Sequence, residues 1–290
     1  VASIGTATIG RMANQSVGDV TVLSDSQRSS VIDAVAVTAG IVAGNGTYAV
    51  ADIRPTLTAS IADGANIQTT RNVNVDTHSA ATSLSKGQGV SLAAGAVGVE
   101  FAKITLNPTI DTFVGAATLD VRGDLRVRSS HNDNTLTFDA NADINDAADT
   151  IRFAAAHGLQ TGEPVIYLTG GTPAVTGLND RTTYYAVVVD ATTIRLAESY
   201  RNAVAASPSV VDIASTGSSF VVNQRLLQGV RADASAGSGG LAAINGVDVE
   251  VVSSPVVTTY VGGTAAATSA QINVSGTADV VSSVQNHAFA

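Results

Sequence analysis

The feature that most constrains this chain is that it repeats itself. "RPTLTASIADGANIQTTRNVNVDTHS" (Arg54–Ser79) matches "NPTIDTFVGAATLDVRGDLRVRSS" (Asn107–Ser130) and again "SPVVTTYVGGTAAATSAQINVSG" (Ser254–Gly276). A looser copy, "IGTATIGRMANQSVGDVTVLSDS" (Ile4–Ser26), stands near the start. Self-similarity at a fixed period implies units that cannot bury their apolar faces alone and must stack on one another. Pro55 and Pro108 lie 53 residues apart, whereas Pro108 and Pro255 lie 147 apart. Taking one further period from 147 leaves 94 residues, so a foreign segment interrupts the third unit. The stretch from Asn134 to Asn223 fits that role, because it holds four of the six tyrosines. The expected organisation is repeats over 1–134, an inserted small β-domain over 135–222, and a continuation of the repeats over 223–290.

Within the repeats the side-chain period is two. Val73, Val75 and Thr77 alternate with Asn72, Asn74 and Asp76, and Leu125 and Val127 alternate with Asp124, Arg126 and Arg128. That alternation describes strands with one buried and one wet face. Glycines at 87, 89, 95 and 98 disfavour helix. A 53-residue unit is too short for an immunoglobulin-like sandwich of about 100 residues, and it suits two or three rungs of a solenoid. The expected fold is therefore all-β: a parallel β-helix (β-solenoid) of ~53-residue repeats, interrupted by a small, mostly antiparallel β-domain. The composition agrees, with only 4% aromatic residues and 27 glycines among many small and β-branched side chains.

The pattern P-T-x-x-A-x-I-x-D-G-A-x-I, carried by Pro55–Ile67, followed by G-D-V-x-V-x-S at Gly18–Ser24 or its close copy at Gly123–Ser129, resembles the repeats of giant bacterial filamentous adhesins and leukotoxin-like filamentous haemagglutinins. The likeness covers about 200 residues and implies an extracellular, cell-surface β-helical stalk. In the fourth copy Gln271–Ile272 stands where Gly-Asp is expected, so a differently built turn is anticipated there. The insert is similar to a module found in large bacterial surface proteins and phage tail proteins. Its signature is carried by Asp149–Phe153, His157–Tyr167, Gly177–Tyr185 and Val189–Ala197. The likeness brings no catalytic assignment with it.

The residues of the insert point the same way. Ile151 and Phe153 face one side of a strand, "EPVIYL" starts another, and the chain must reverse between them. Gly158 and Gly162 supply the dihedral freedom for that reversal, and a ring nitrogen of His157 can tie the turn to a backbone group. A nucleophile would need an adjacent base and an orienting third group. No motif ties His157, Thr161 and Glu163 into such a system, so His157, Gly158 and Gly162 are read as a structural turn. "TTYYAVVV" and "TTIRLAE" form a hairpin about Asp190–Ala191, and "SYRNAVAA" is a short helix, giving a small barrel or sandwich.

Other features bound the function. Asp143, Asn145, Asp146 and Asp149 crowd into seven residues, the kind of oxygen spacing a Ca²⁺ ion uses, though without the glycine and distal glutamate of an EF-hand loop. A solvated acidic turn is the favoured reading and Ca²⁺ the alternative. No other cofactor is expected. A net charge of −9 argues against a nucleic-acid partner. The absence of cysteine removes thiol catalysis and disulfides, and no apolar run reaches the length of a membrane span. The row Asp120, Asp124, Arg126 and Arg128 suits the outer face of a strand. A carbohydrate-active β-helix enzyme (lyase or hydrolase type) and a phage tail host-binding protein are the alternatives to a non-enzymatic stalk. The uncapped look of both ends leads to a further expectation, stacking end to end on neighbouring repeats or identical subunits. Surface glycans or a host receptor are the expected partners of the decorating module.

Overall fold

A computed structural model describes residues 1–10, 17–170, 173–215, 224–263 and 269–290. The described residues are all-β with parallel sheets, plus one four-residue helix at Tyr200–Ala203 that Ser199 caps by accepting from the Asn202 N–H. The sequence alternation is realised directly. In the strand Val73–Leu106 the side chains of Val73, Val75, Thr77 and Ser79 are buried, while Asn74, Asp76 and His78 between them reach outward.

Three parallel sheets are built from the repeated stretches. One joins Ala2–Ile4, Thr56–Ile61, Thr109–Val114 and Val256–Val261. A second joins Thr8–Ile9, Asn66–Thr69, Thr118–Val121 and Gln271–Val274. The third centres on Val73–Leu106, which pairs along its length with Val20–Ile53 on one side. Its other side meets Leu125–His131, then Val230–Gly239 and Ala242–Ser253. Equivalent apolar residues therefore fall into ladders, such as Val22–Val75–Val127–Val280 and Ile67–Leu119–Ile272. Except for Val280, which is exposed at the edge of its ladder, these residues belong to one continuous core. Thr77, Thr112, Ser129, Thr259 and Ser282 pass hydrogen bonds from hydroxyl to hydroxyl at 2.6–2.8 Å, starting within this core and reaching the surface at Ser282. Hydroxyls suit such a chain because each can donate and accept.

The register corrects one detail of the repeat alignment. Leu125 faces Ala278, so Gly123–Asp124 corresponds to Gly276–Thr277, while Gln271–Ile272 lies in the strand before it. The fourth copy keeps its glycine and exchanges only the aspartate. Part of the turn before that strand lies outside the described residues.

The insertion point is sharply defined. His131 pairs with Ser79 and Val230 pairs with Ser83, so everything between leaves the stack across a gap of three residues, Ala80–Thr82. Asn132 closes part of that gap with its side chain: its Oδ1 accepts the Ala81 N–H at 2.7 Å and its Nδ2 donates to the Ala81 carbonyl at 3.1 Å. A carboxamide thus takes the place of the missing peptide group. Asn132 does so at φ 48°, a left-handed conformation that asparagine tolerates better than most residues.

The inserted segment forms a single seven-stranded antiparallel sheet. Its order is Thr135–Phe138, Gln224–Leu227, Pro164–Leu168, Thr182–Val188, Thr193–Ala197, Thr150–Arg152, Ile144–Asn145. One sheet that does not close replaces the expected barrel or sandwich, while its antiparallel pairing is as expected. It also takes in Gln224–Leu227, beyond the boundary expected at 222, and the parallel stack resumes at Val230. Asn223 lies outside the described residues. Thr135 and Leu227 are direct partners, so entry and exit run side by side.

Candidate functional site

The crossover from Thr150–Arg152 to Pro164–Leu168 carries His157. These two strands are not neighbours, because Thr182–Val188 and Thr193–Ala197 lie between them. The loop therefore passes the hairpin tip at Asp190, and His157 fastens it there. The His157 N–H donates to the Ala191 carbonyl at 3.0 Å and ring Nε2 lies 2.8 Å from the Asp190 carbonyl. The Leu159 N–H donates to Nδ1 at 3.0 Å, which assigns the proton to Nε2. The ring is 1% exposed and both nitrogens are occupied by backbone groups. Asp190 accepts from the Thr192 N–H, which holds its carboxyl below the usual range.

Gly158 and Gly162 have φ of 66° and 90°. A Cβ on Gly162 would stand 2.8 Å from the rings and methyls of Tyr200 and Val204, so both conformation and space demand glycine there.

In the acidic run, Asp143, Asn145 and Asp146 line one open pocket, and each of the four side chains accepts a backbone N–H. Asp143 accepts the Asp139 N–H, Asn145 that of Ala147, Asp146 that of Ser215 and Asp149 that of Ile213. Among the described residues no group of three or more His, Cys, Asp or Glu side chains is placed to hold a metal ion. The Asp120–Arg128 row is spent on its neighbours as well. Asp120 accepts from Gln68 and Asn273, Arg126 pairs with Asp124, and Arg128 with Asp279.

The concave site is elsewhere. A cleft of about 1230 Å³ opens where the inserted sheet lies against the parallel one. One wall is Gln27, Val31 and Asp33 with Leu84 and Lys86, and Arg231 and Asp233. The other is Gln160–Glu163, Thr182, Thr183, Tyr185 and Glu198–Arg201. Asp33, Lys86 and Asp233 are in register on three adjacent strands and form an acid–base–acid row. Arg231 pairs with Asp233 at 2.9 Å and also donates to the Arg181 carbonyl. Tyr185 is buried in a small apolar cluster with Leu84, Val187, Ala197 and Ala203, and burial pushes its hydroxyl up to about 12. Tyr200, at 50% exposure, is the open ring at this rim, whereas Tyr167, Tyr184 and Tyr185 are core residues.

Glu163 anchors the two walls. It is 5% exposed, yet among the described residues it contacts no cation: Gln27 donates to both its oxygens (3.1 and 2.9 Å), Gln228 to Oε1 (2.8 Å), and the Gln160 N–H to Oε2 (3.1 Å). Gln27 is 136 residues away in sequence, and no local motif signals the meeting.

No family model matches the chain, and no curated protein or solved structure matches it either. No helix among the described residues is long and apolar enough to cross a membrane.

Proposed function

We propose that this chain is a non-enzymatic structural segment of an extracellular bacterial adhesin: a β-solenoid stalk that carries the antiparallel module as a lateral recognition element. The observation that carries this reading is the register. Parallel partners lie 53 residues apart from Val20–Val73 to Ile53–Leu106, and the offset rises to 147 after the insert without loss of pairing. Such stacking suits length and stiffness, and it leaves the module free to vary. The likeness of the repeats to filamentous haemagglutinins points the same way. Among the described residues, the strands Val20–Ile53 and Ala242–Ser253 each have a partner on one side only, so further repeats or identical copies are the expected neighbours. The cleft, with paired charges, amides and the open Tyr200 ring, fits a glycan of the opposing surface.

The test is a glycan array probed with the full chain and with Tyr200→Ala. Binding that the variant loses at unchanged melting temperature supports the reading, and an array with no binder removes the glycan from it. A second reading, a carbohydrate-active enzyme, has one observation in its favour, the Asp33–Lys86–Asp233 row on the cleft wall. Product release from anionic or neutral glycans, abolished in Lys86→Ala, would replace the structural reading.

A further inference from the structure

The long strand Val73–Leu106 doubles back on itself, since a Cβ on Gly87 would lie 3.0 Å from the Phe101 carbonyl. Inside the narrow space this leaves sits Glu100, fully buried at 0% exposure. Its Oε2 accepts from the N–H (2.9 Å) and the hydroxyl of Thr47. Its Oε1 is buried and has no hydrogen-bond partner. The described residues place no Lys, Arg or His within ion-pairing distance of it.

Other oxygens face the same space. Asn45, Gly98 and Asn245 are in register on three adjacent strands. The glycine in the middle leaves a gap where a side chain would otherwise begin. Around the point that its Cβ would occupy lie Asn45 Oδ1 at 2.9 Å, Asn245 Oδ1 at 3.0 Å and Glu100 Oε1 at 3.6 Å. Asn45 Oδ1 is likewise buried and without a partner. The amide nitrogens are turned away and used: Asn45 Nδ2 donates to the Ala36 carbonyl and Asn245 Nδ2 to Ser238 Oγ. Each asparagine is thereby oriented with its oxygen toward the gap.

Three acceptors, one on a buried carboxylate, converge with no protein donor between them. We infer that this gap binds a hard metal cation, held by Glu100, Asn45 and Asn245 across three strands of the stack. One carboxylate with two amide oxygens is the ligand chemistry of Ca²⁺ or an alkali cation, not of a thiophilic or imidazole-seeking metal. A single water can donate to only two of the three oxygens and leaves the third without a partner. Asn245 is exposed, so that side is open to the waters needed to complete the coordination shell. The site is distinct from the acidic run at Asp143–Asp149 and from the cleft, and it would tie together the strands on either side of the insertion.

The experiment is thermal unfolding of the metal-stripped full chain titrated with CaCl₂, NaCl or KCl, with choline chloride as the ionic-strength control. The wild type is expected to gain melting temperature saturably with at least one of the three cations, and the one that acts identifies the ion. Glu100→Gln and Gly98→Ala, whose new Cβ would occupy the gap, are expected to lose that gain. Asn45→Asp adds a second carboxylate and is expected to lower the half-saturating concentration by about tenfold, a readout that survives if the other two variants fold poorly. Equal responses to all salts and choline, or an Asn45→Asp titration identical to wild type, would overturn the inference and leave a water at the gap.

Discussion

The parallel stack and the inserted module solve the same problem, burying small strands, with different cores. In the stack, buried apolar residues sit beside their own equivalents on adjacent parallel strands, as in Val22–Val75–Val127, so many contacts are with the neighbouring strand. The module has no such translation. Its core is one irregular cluster around Phe138, Phe153, Tyr167 and Tyr184, and its polar groups are placed individually. Tyr167 accepts the Val175 N–H while donating to Gln224, and Tyr184 accepts the Asn179 N–H. A stack is stabilised as a sum of similar interfaces, whereas a single-core module stands or falls as a unit.

The strongest way to break this comparison is to remove the module. The stack needs only three residues to bridge His131 to Val230, because those residues pair with Ser79 and Ser83. A chain in which 132–229 is replaced by Ala-Ala-Thr, copying Ala80–Thr82, is expected to keep its parallel β signal and a single cooperative melt. Loss of β structure by circular dichroism would show that the module is part of the stack's core. A more local blow is Phe138→Ala. Phe138 is 2% exposed and meets Phe153 edge-on at 6.2 Å, so truncation is expected to cost about 3–5 kcal/mol. Hydrogen exchange should then open Thr135–Leu227 together and leave Val73–Leu106 protected. Equal deprotection of both regions would contradict two separate cores.

The sequence discloses the two regions unequally, for the same reason. Translation puts the stack's information into spacing, and the 53-residue offset between Val20–Ile53 and Val73–Leu106 can be read from the chain alone. The turn residues of the module are legible too, since Gly158 and Gly162 must adopt positive φ. The module's far edge is not. In "QRLLQG", Leu226 and Leu227 are buried, and nothing in that short pattern separates a last module strand from the first strand of the resumed parallel sheet. The cleft and Glu163 were equally hidden, because their partners Gln27 and Gln228 come from distant strands. Asn45–Gly98–Asn245 was concealed only by ordinary appearance: the offsets 53 and 147 align the three, but asparagine and glycine in a Gly-rich chain draw no notice.

The junction between the regions predicts a pH dependence. His131, the last residue of its parallel strand before the insert, is 0% exposed, hydrogen-bonds Ser79 through Nδ1 and leaves Nε2 unpartnered. Burial pushes its pKa down from 6.5 to about 4. The unfolded chain therefore binds a proton between about pH 6.5 and 4 that the folded one refuses, and stability falls as pH drops through that window. A shift of this size corresponds to up to about 3 kcal/mol, fully lost below pH 4. In His131→Gln this component should vanish from the pH profile of unfolding free energy, and an unchanged slope between pH 6.5 and 4 would exclude His131 as its source.

The smallest expected effect lies at the contact between the two cores. Glu163 accepts four N–H contacts from neutral groups, and ionised acceptors strengthen each of them. Glu163→Gln keeps the shape but turns one oxygen into a donor facing the Gln27 or Gln228 amide. Those amides can rotate and offer an oxygen instead, so the loss is expected to be only about 1–2 kcal/mol. It should fall on docking and not on either core: faster exchange at the Gln160 N–H, with the protection of Tyr184–Ala186 and Val73–Val75 unchanged. A loss as large as that of Phe138→Ala would mean that the module has no core independent of the stack. No change at Gln160 would mean that the two sheets are held together by the Leu84–Tyr185 apolar contact and the Arg231–Arg181 hydrogen bond without help from Glu163.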